Sequence, residues 1–212
     1  MKFMPYLLII LGLLSVFFGV RMLLAKKPNA EPEIHNTIAA SDTVKPKSAK
    51  TIDNIQYSEN KKKGDDFEAF VVGNFNKEYF TLNEWRSDKY VNGTYAVSNH
   101  FPDLEIEFNF KSKKIRDVFA IECKYRSSFY KDSINWAEEY QFKNYQDYAL
   151  KLKIPVFVII GVGGVPSKPY EIFIVPLSNI YSASISRSEL DKYKRDRSKT
   201  NFYWKWEEKI LE

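Results

Sequence analysis

Cysteine and histidine are scarce in this chain. Among its 212 residues there is one cysteine, Cys123, and there are two histidines, His35 and His100, far apart in sequence. A lone cysteine excludes a disulfide framework and a thiolate zinc cluster. Two distant histidines leave little for a histidine-rich metal centre. No internal repeat is present. Gly161-Val162-Gly163-Gly164 has no Gly-Lys-Ser/Thr after it, so it reads as a turn and not as a phosphate loop. No thiol-protease signature surrounds Cys123, and His100 near Pro102 reads as a loop residue. What is abundant is apolar surface: 44% of residues are hydrophobic and 16% aromatic, beside 28% charged. That excludes a wholly disordered chain. The length suits one globular domain with an appendage. A net charge of +5 permits a polyanionic partner without requiring one.

The appendage is N-terminal. Phe3 to Leu24 reads FMPYLLIILGLLSVFFGVRMLL, broken by the single charge of Arg21. A helix crossing the hydrocarbon core needs about 20 mostly apolar residues, and Arg21 can snorkel to the headgroups. The run exceeds the roughly 7–15-residue core of a cleaved signal, and Leu23-Leu24-Ala25 is a poor small-x-small site. Residues 1–25 are therefore expected to be a retained, single-pass transmembrane anchor. Arg21, Lys26 and Lys27 after the span outnumber Lys2 before it, which places the remainder in the cytoplasm at the cell membrane. Residues 26–60 mix proline, alanine, serine and charges with few large apolar side chains, as a flexible tether does. The folded domain is expected over 61–212.

Within it, Phe67 to Phe75 reads as a helix whose stripe of Glu68, Val71, Val72 and Phe75 includes a carboxylate facing the core. Tyr79–Trp85 reads as a strand, followed by a loop at Asn92-Gly93. Leu104–Phe110 and Val118–Arg126 alternate as two strands joined by the polar connector 111–117. Ile134–Lys153 reads as a helix stopped by Pro155, Val156–Ile160 as a strand buried on both faces, and Tyr170–Val175 as another. Ser188–Arg195 reads as a short helix. The sum is a mixed α/β layer fold.

The apolar face fixes an expected register for the hairpin. Setting Leu104 opposite Cys123, Ile106 opposite Ile121 and Phe108 opposite Phe119 gathers all large apolar groups on one side. On the other side Asp103 then faces Lys124, Glu105 faces Glu122, and Asp103 lies diagonal to Glu122. Carboxylates directly opposite each other repel, and a divalent cation relieves that repulsion. Two strands alone are equally served by an ordinary surface ion pair between Asp103 and Lys124.

Pro102-Asp103, followed nineteen positions after Asp103 by Glu122-Cys123-Lys124, resembles the PD-(D/E)XK motif of the restriction-endonuclease-like nucleases. Glu68 on a preceding helix and Gln141 with Tyr145 on a following one are similar to further elements of that superfamily. The resemblance covers residues 61–180. It implies a restriction-endonuclease-like core behind the transmembrane helix, and a Mg²⁺-dependent nuclease acting on nucleic acid, DNA by analogy, with Mn²⁺ as substitute. Asp103 and Glu122 would ligate the metal, with Glu105 or Glu68 assisting. Lys124 would orient or activate the attacking water, and Gln141 would hydrogen-bond that water or a phosphate. Cys123 would be packing. Lys111, Lys113, Lys114, Arg116, Arg126 and Lys131 would meet phosphates, and Trp136 and Tyr140 bases or sugars. The alternative is a non-catalytic module on the same scaffold, binding nucleic acid or a protein at the membrane.

Overall fold

Alternation of Leu104, Ile106 and Phe108 with polar neighbours makes a half-buried strand, and the strands beside it build the sheet. The structure, a computed structural model, describes residues 49–86, 90–91, 94–95 and 100–212, with side chains over 56–86 and 100–212. The expected span from Phe3 to Leu24, the tether up to residue 48 and the Asn92-Gly93 loop lie outside the described residues. Among the described residues no helix is long and apolar enough to cross a membrane.

Helix α1 (Ala49–Gly73) begins upstream of Lys61. Nothing between Ala49 and Asn60 is proline or glycine, and ion pairs four residues apart support the helix at Lys61–Asp65 (2.9 Å) and Lys62–Asp66 (2.6 Å). Then come β1 (Phe80–Trp85), a two-residue ladder of β2 (Tyr90–Val91) and β3 (Thr94–Tyr95), β4 (Leu104–Phe110) and β5 (Ile115–Arg126). They are followed by β6 (Ser133–Asn135), α2 (Glu139–Leu152), β7 (Val156–Val165), β8 (Lys168–Pro176), β9 (Ser184–Ser186), α3 (Arg187–Leu190), β10 (Trp204–Lys205) and β11 (Ile210–Leu211). Five strands form the central mixed sheet in the order β1-β4-β5-β7-β8, parallel at β5–β7 and antiparallel at its other pairs.

Each face of the sheet buries its own core. On one, Phe67, Val71 and Phe75 of α1 meet Ile106, Phe119 and Ile121, with Phe202, Trp204 and Leu211 of the C-terminal segment beside them. Helix α1 lies so close that a Cβ at Gly161 would stand 2.4 Å from the Phe67 ring. On the other face Phe142, Tyr145 and Tyr148 of α2 pack with Trp136, Val158, Ile160 and Phe173.

Several elements differ from the sequence expectation. Helix α2 starts at Glu139, not Ile134, because Ile134 pairs with Ile185 in a β6–β9 ladder and the buried Trp136 donates its indole N–H to the Ser182 carbonyl (2.9 Å). Gly161 and Val162 continue β7 opposite Ile172 and Glu171, so no turn forms there. Gly163 and Gly164 take positive φ (70° and 67°) beneath the Tyr170 ring, a conformation and clearance that suit glycine. The expected helix over 188–195 shrinks to α3 and a 3₁₀ turn at Asp191–Tyr193.

The hairpin register is the difference with most consequence. Leu104 faces Ile121, Ile106 faces Phe119 and Phe108 faces Asp117, two residues away from the expected pairing. The connector is only Lys111–Lys114, a 3₁₀ turn closed by Lys114 in the left-handed region (φ 55°), and Ile115 already pairs with Phe110. Four-residue hairpin loops are among the common ones, and the shorter loop draws the strands into the observed register. Glu105 consequently faces Ala120, not Glu122.

Candidate active site

Strand β4 begins at Leu104, whereas β5 runs on to Arg126 with β7 as its remaining neighbour in the sheet. The sheet therefore opens beyond the Leu104–Ile121 pair, and the next residues outward are Asp103 and Glu122. There the Cys123 N–H donates to Asp103 Oδ2 at 2.8 Å, which pins a carboxylate where a strand carbonyl would otherwise sit. Glu122 is 1% exposed. Its Oε1 accepts from the Tyr145 hydroxyl at 2.8 Å and lies 2.6 Å from Lys124 Nζ. Its Oε2 is buried with no hydrogen-bond partner among the described residues. A bare carboxylate oxygen in that setting is costly, and such atoms call for an explanation.

Glu68 comes from α1, on the side that packs against the sheet beside Phe67. Its Oε2 accepts the Trp85 indole N–H at 2.7 Å. Burial raises its pKa, and the Asp65 and Glu122 carboxylates add to that. Asp103 borders the cavity, yet its carboxyl is buried enough that desolvation is the main cause of a pKa well above the ordinary aspartate value. Glu122 and Glu68 push in the same direction, and Lys124 opposes them. Burial on its own lowers the Lys124 pKa, but Glu122 and then Asp103 raise it more, so the ammonium is held in its charged form. Cys123 is buried with its thiol pKa pushed up by desolvation, as befits packing.

Beside them opens a cavity of about 510 Å³ between the middle of α1 and the end of β5, with Asp65, Glu68, Asp103, Lys124 and Arg126 on its walls and Glu122 buried behind them. Among the described residues no three acidic, histidine or cysteine side chains converge closely enough to cage a metal ion. The local chemistry nevertheless fits a hard divalent cation. The Asp103 and Glu122 carboxylates crowd each other, one oxygen of Glu122 being unpartnered among the described residues, and Mg²⁺ usually takes one or two carboxylates plus water and substrate phosphate.

The remaining expected site residues lie elsewhere. Glu105 accepts from Tyr148 (3.0 Å) and Arg86 (3.3 Å), so its charge is matched within a neighbouring cavity of about 640 Å³ lined also by Trp85, Phe101 and Asn144. Arg86 packs against the Phe101 and Tyr148 rings, 6.0 and 5.7 Å from their centres, and those rings contact each other at 5.6 Å. Gln141 Oε1 accepts from the Glu138 N–H at 3.0 Å and caps α2; the hydroxyl that reaches Glu122 is that of Tyr145, one turn further on. Trp136 is fully buried and offers no face to a base, while Tyr140 is 60% exposed. Of the expected phosphate-binding cations, Arg126 is committed to the Asn135 carbonyl, Arg116 to Glu107 and Lys113 to the Trp206 ring, and Lys131 lies over the Tyr130 ring. The resemblance singles out Tyr145 beside Gln141, whereas Trp85 and Tyr148 are contributors that residue pattern alone did not single out as site residues. Their only sequence signal is a polar tip on an aromatic body.

No family profile matches the sequence, and no curated protein matches it. Among solved structures, the chain is similar to Hjc, a Holliday junction resolvase from the archaeal hyperthermophile Archaeoglobus fulgidus. The TM-score is 0.41 and the identity 16%, over 66% of this chain and 98% of that one.

Proposed function

We propose that this chain is a divalent-metal-dependent nuclease acting on DNA, a restriction-endonuclease-like enzyme held at the cell membrane by its N-terminal span with the folded domain in the cytoplasm. The observation that carries the chemistry is the opening of the sheet at Asp103 and Glu122. Two carboxylates meet there, one with a bare buried oxygen and both beside a charged lysine. Membrane attachment and orientation rest on the sequence from Lys2 to Lys27.

In this reading Asp103 and Glu122 hold Mg²⁺ (Mn²⁺ as substitute), with Glu68 as the third carboxylate in reach of the cavity. When bound, the ion supplies Lewis-acid stabilisation of the phosphodiester and lowers the pKa of its water. The protein's own groups do the rest. Asp103 is fixed by the Cys123 N–H, and Tyr145 holds Glu122 in place. Trp85 orients Glu68. Lys124, being protonated, serves as a cation that stabilises charge developing on the phosphate and positions water; it does not act as a general base.

The second reading, a non-catalytic nucleic-acid-binding module, is favoured by the Lys124–Glu122 pair. At 2.6 Å the lysine itself serves as internal counter-ion to that carboxylate. The test uses the full chain in detergent with linear, branched and single-stranded DNA and with RNA, each with Mg²⁺, Mn²⁺ or EDTA. Metal-dependent cleavage of DNA that disappears in Asp103→Ala and Lys124→Ala supports the enzyme. DNA binding that persists in EDTA without any cleavage supports the module.

A further inference from the structure

Beside the sheet's edge strand β8, a second charged cavity is bordered by an arginine with two buried nitrogens that meet no acceptor among the described residues. We propose that Arg195 is the centre of a binding site for a phosphate-type oxyanion, separate from the carboxylate cluster. Arg195 is 9% exposed, and its Nε and Nη2 are buried without an acceptor among the described residues. Its backbone is held by the Ile172 carbonyl at 2.8 Å, and its guanidinium lies 4.7 Å over the Phe202 ring, so the side chain is positioned from below. A guanidinium stays protonated in proteins, and buried N–H donors without acceptors are rare. Burial depresses its pKa, and the charge of Asp196 offsets that only in part.

The surroundings supply a counter-charge only in part, through the neighbouring Asp196 carboxylate. Asp196 is turned to Ser198, accepting from its N–H (2.9 Å) and hydroxyl (2.8 Å). Glu212 is matched by Lys199 and Lys205, and Glu171 by Arg187 and Lys194. The cavity that Arg195 borders measures about 350 Å³, room for a tetrahedral oxyanion and its water. Lys192, Lys194, Lys199 and Asn179 also line it, as do the carboxylates of Asp196 and Glu212, so its cations outnumber its acids four to two. A planar guanidinium with two free N–H groups is suited to a phosphate oxygen. Two sources share this chemistry: a backbone phosphate of bound nucleic acid, and free inorganic phosphate.

The experiment uses the full chain in detergent. Inorganic phosphate is titrated at constant ionic strength against chloride while the melting temperature is followed. A saturable rise of about 5 °C or more is expected at a hundredfold excess over Kd. The rise disappears in Arg195→Gln and persists in Asp103→Ala, so the outcome is independent of the nuclease reading. Should Arg195→Gln fail to fold, the double variant Lys192→Gln/Lys199→Gln keeps the arginine and weakens phosphate at least about tenfold. The source is separated by binding of a short DNA duplex in EDTA. If a backbone phosphate is the ligand, Arg195→Gln lowers the slope of log Kd against log salt by about 0.9, and phosphate competes with DNA. If free phosphate is the ligand, slope and DNA affinity stay unchanged while the melting shift is lost. Absence of any saturable phosphate effect over chloride, together with an unchanged DNA salt slope in Arg195→Gln, overturns the proposal.

Discussion

Asp103 and Glu105 stand two residues apart at the start of β4, yet their surroundings are opposite. Glu105 is answered by Arg86 and by the Tyr148 hydroxyl, whose own pKa is pushed up to about 12 by burial and by that carboxylate. Asp103 receives one backbone N–H and otherwise faces two more carboxylates, with Lys124 shared among them. The first arrangement is a satisfied structural network. The second keeps charge in excess, which burdens the fold and is useful only if something cationic arrives. On the proposed function, the contrast separates a residue that holds the protein together from one that is held ready for chemistry.

The comparison can be broken most directly at Asp103. Asp103→Asn keeps an acceptor for the Cys123 N–H but removes the charge. Cleavage should fall at least about a hundredfold, while the melting temperature of the metal-free protein rises by ~2–4 °C, the shift that about 1 kcal/mol produces in a domain of this size. A fall in both would show that Asp103 is structural after all. Lys124→Ala should cost about 10²–10³-fold in rate. It should also destabilise the protein by about 3 kcal/mol, since Glu122 is left buried without its cation. Glu105→Gln gives the mirror image: cleavage within about tenfold of the parent, and stability lower by roughly 1–3 kcal/mol as Arg86 loses its ionic partner and Tyr148 its charged acceptor. Loss of cleavage as deep as in Asp103→Asn would erase the distinction drawn above. Tyr145→Phe should reduce kcat about tenfold by loosening Glu122, with ~1 kcal/mol of stability lost. The smallest effect belongs to Gln141→Ala, which removes a helix cap worth about 0.5–1 kcal/mol and should leave kcat/KM within about twofold.

Much of this was legible beforehand, and the failures share one origin. The strands at Leu104–Phe110 and Val118–Arg126, the helix behind Phe67 and the buried strand at Val156 follow from periodicity, which reports which face a side chain takes. Periodicity could not choose between registers two residues apart, because a slip of two returns every side chain to the same face. That is why the apolar layer was anticipated correctly while the partner of Glu122 was not. Similarly, the resemblance sets Gln141 and Tyr145 one turn apart on the same helix, but does not say that the amide turns back to cap that helix. Trp136 looked available for stacking until the β6–β9 ladder covered it.

By itself the amino-acid sequence determined the two-sided character of each strand, the carboxylates and lysine at the head of the hairpin, and the hydrophobic N-terminal run. These depend on composition and on spacing along the chain. Only the tertiary structure decided which acids meet, that Lys124 neutralises Glu122, and that Arg195 is buried with two nitrogens unpartnered among the described residues. Those outcomes depend on loop length, on where one strand stops while its neighbour continues, and on which distant segments close over the sheet, none of which a local pattern encodes.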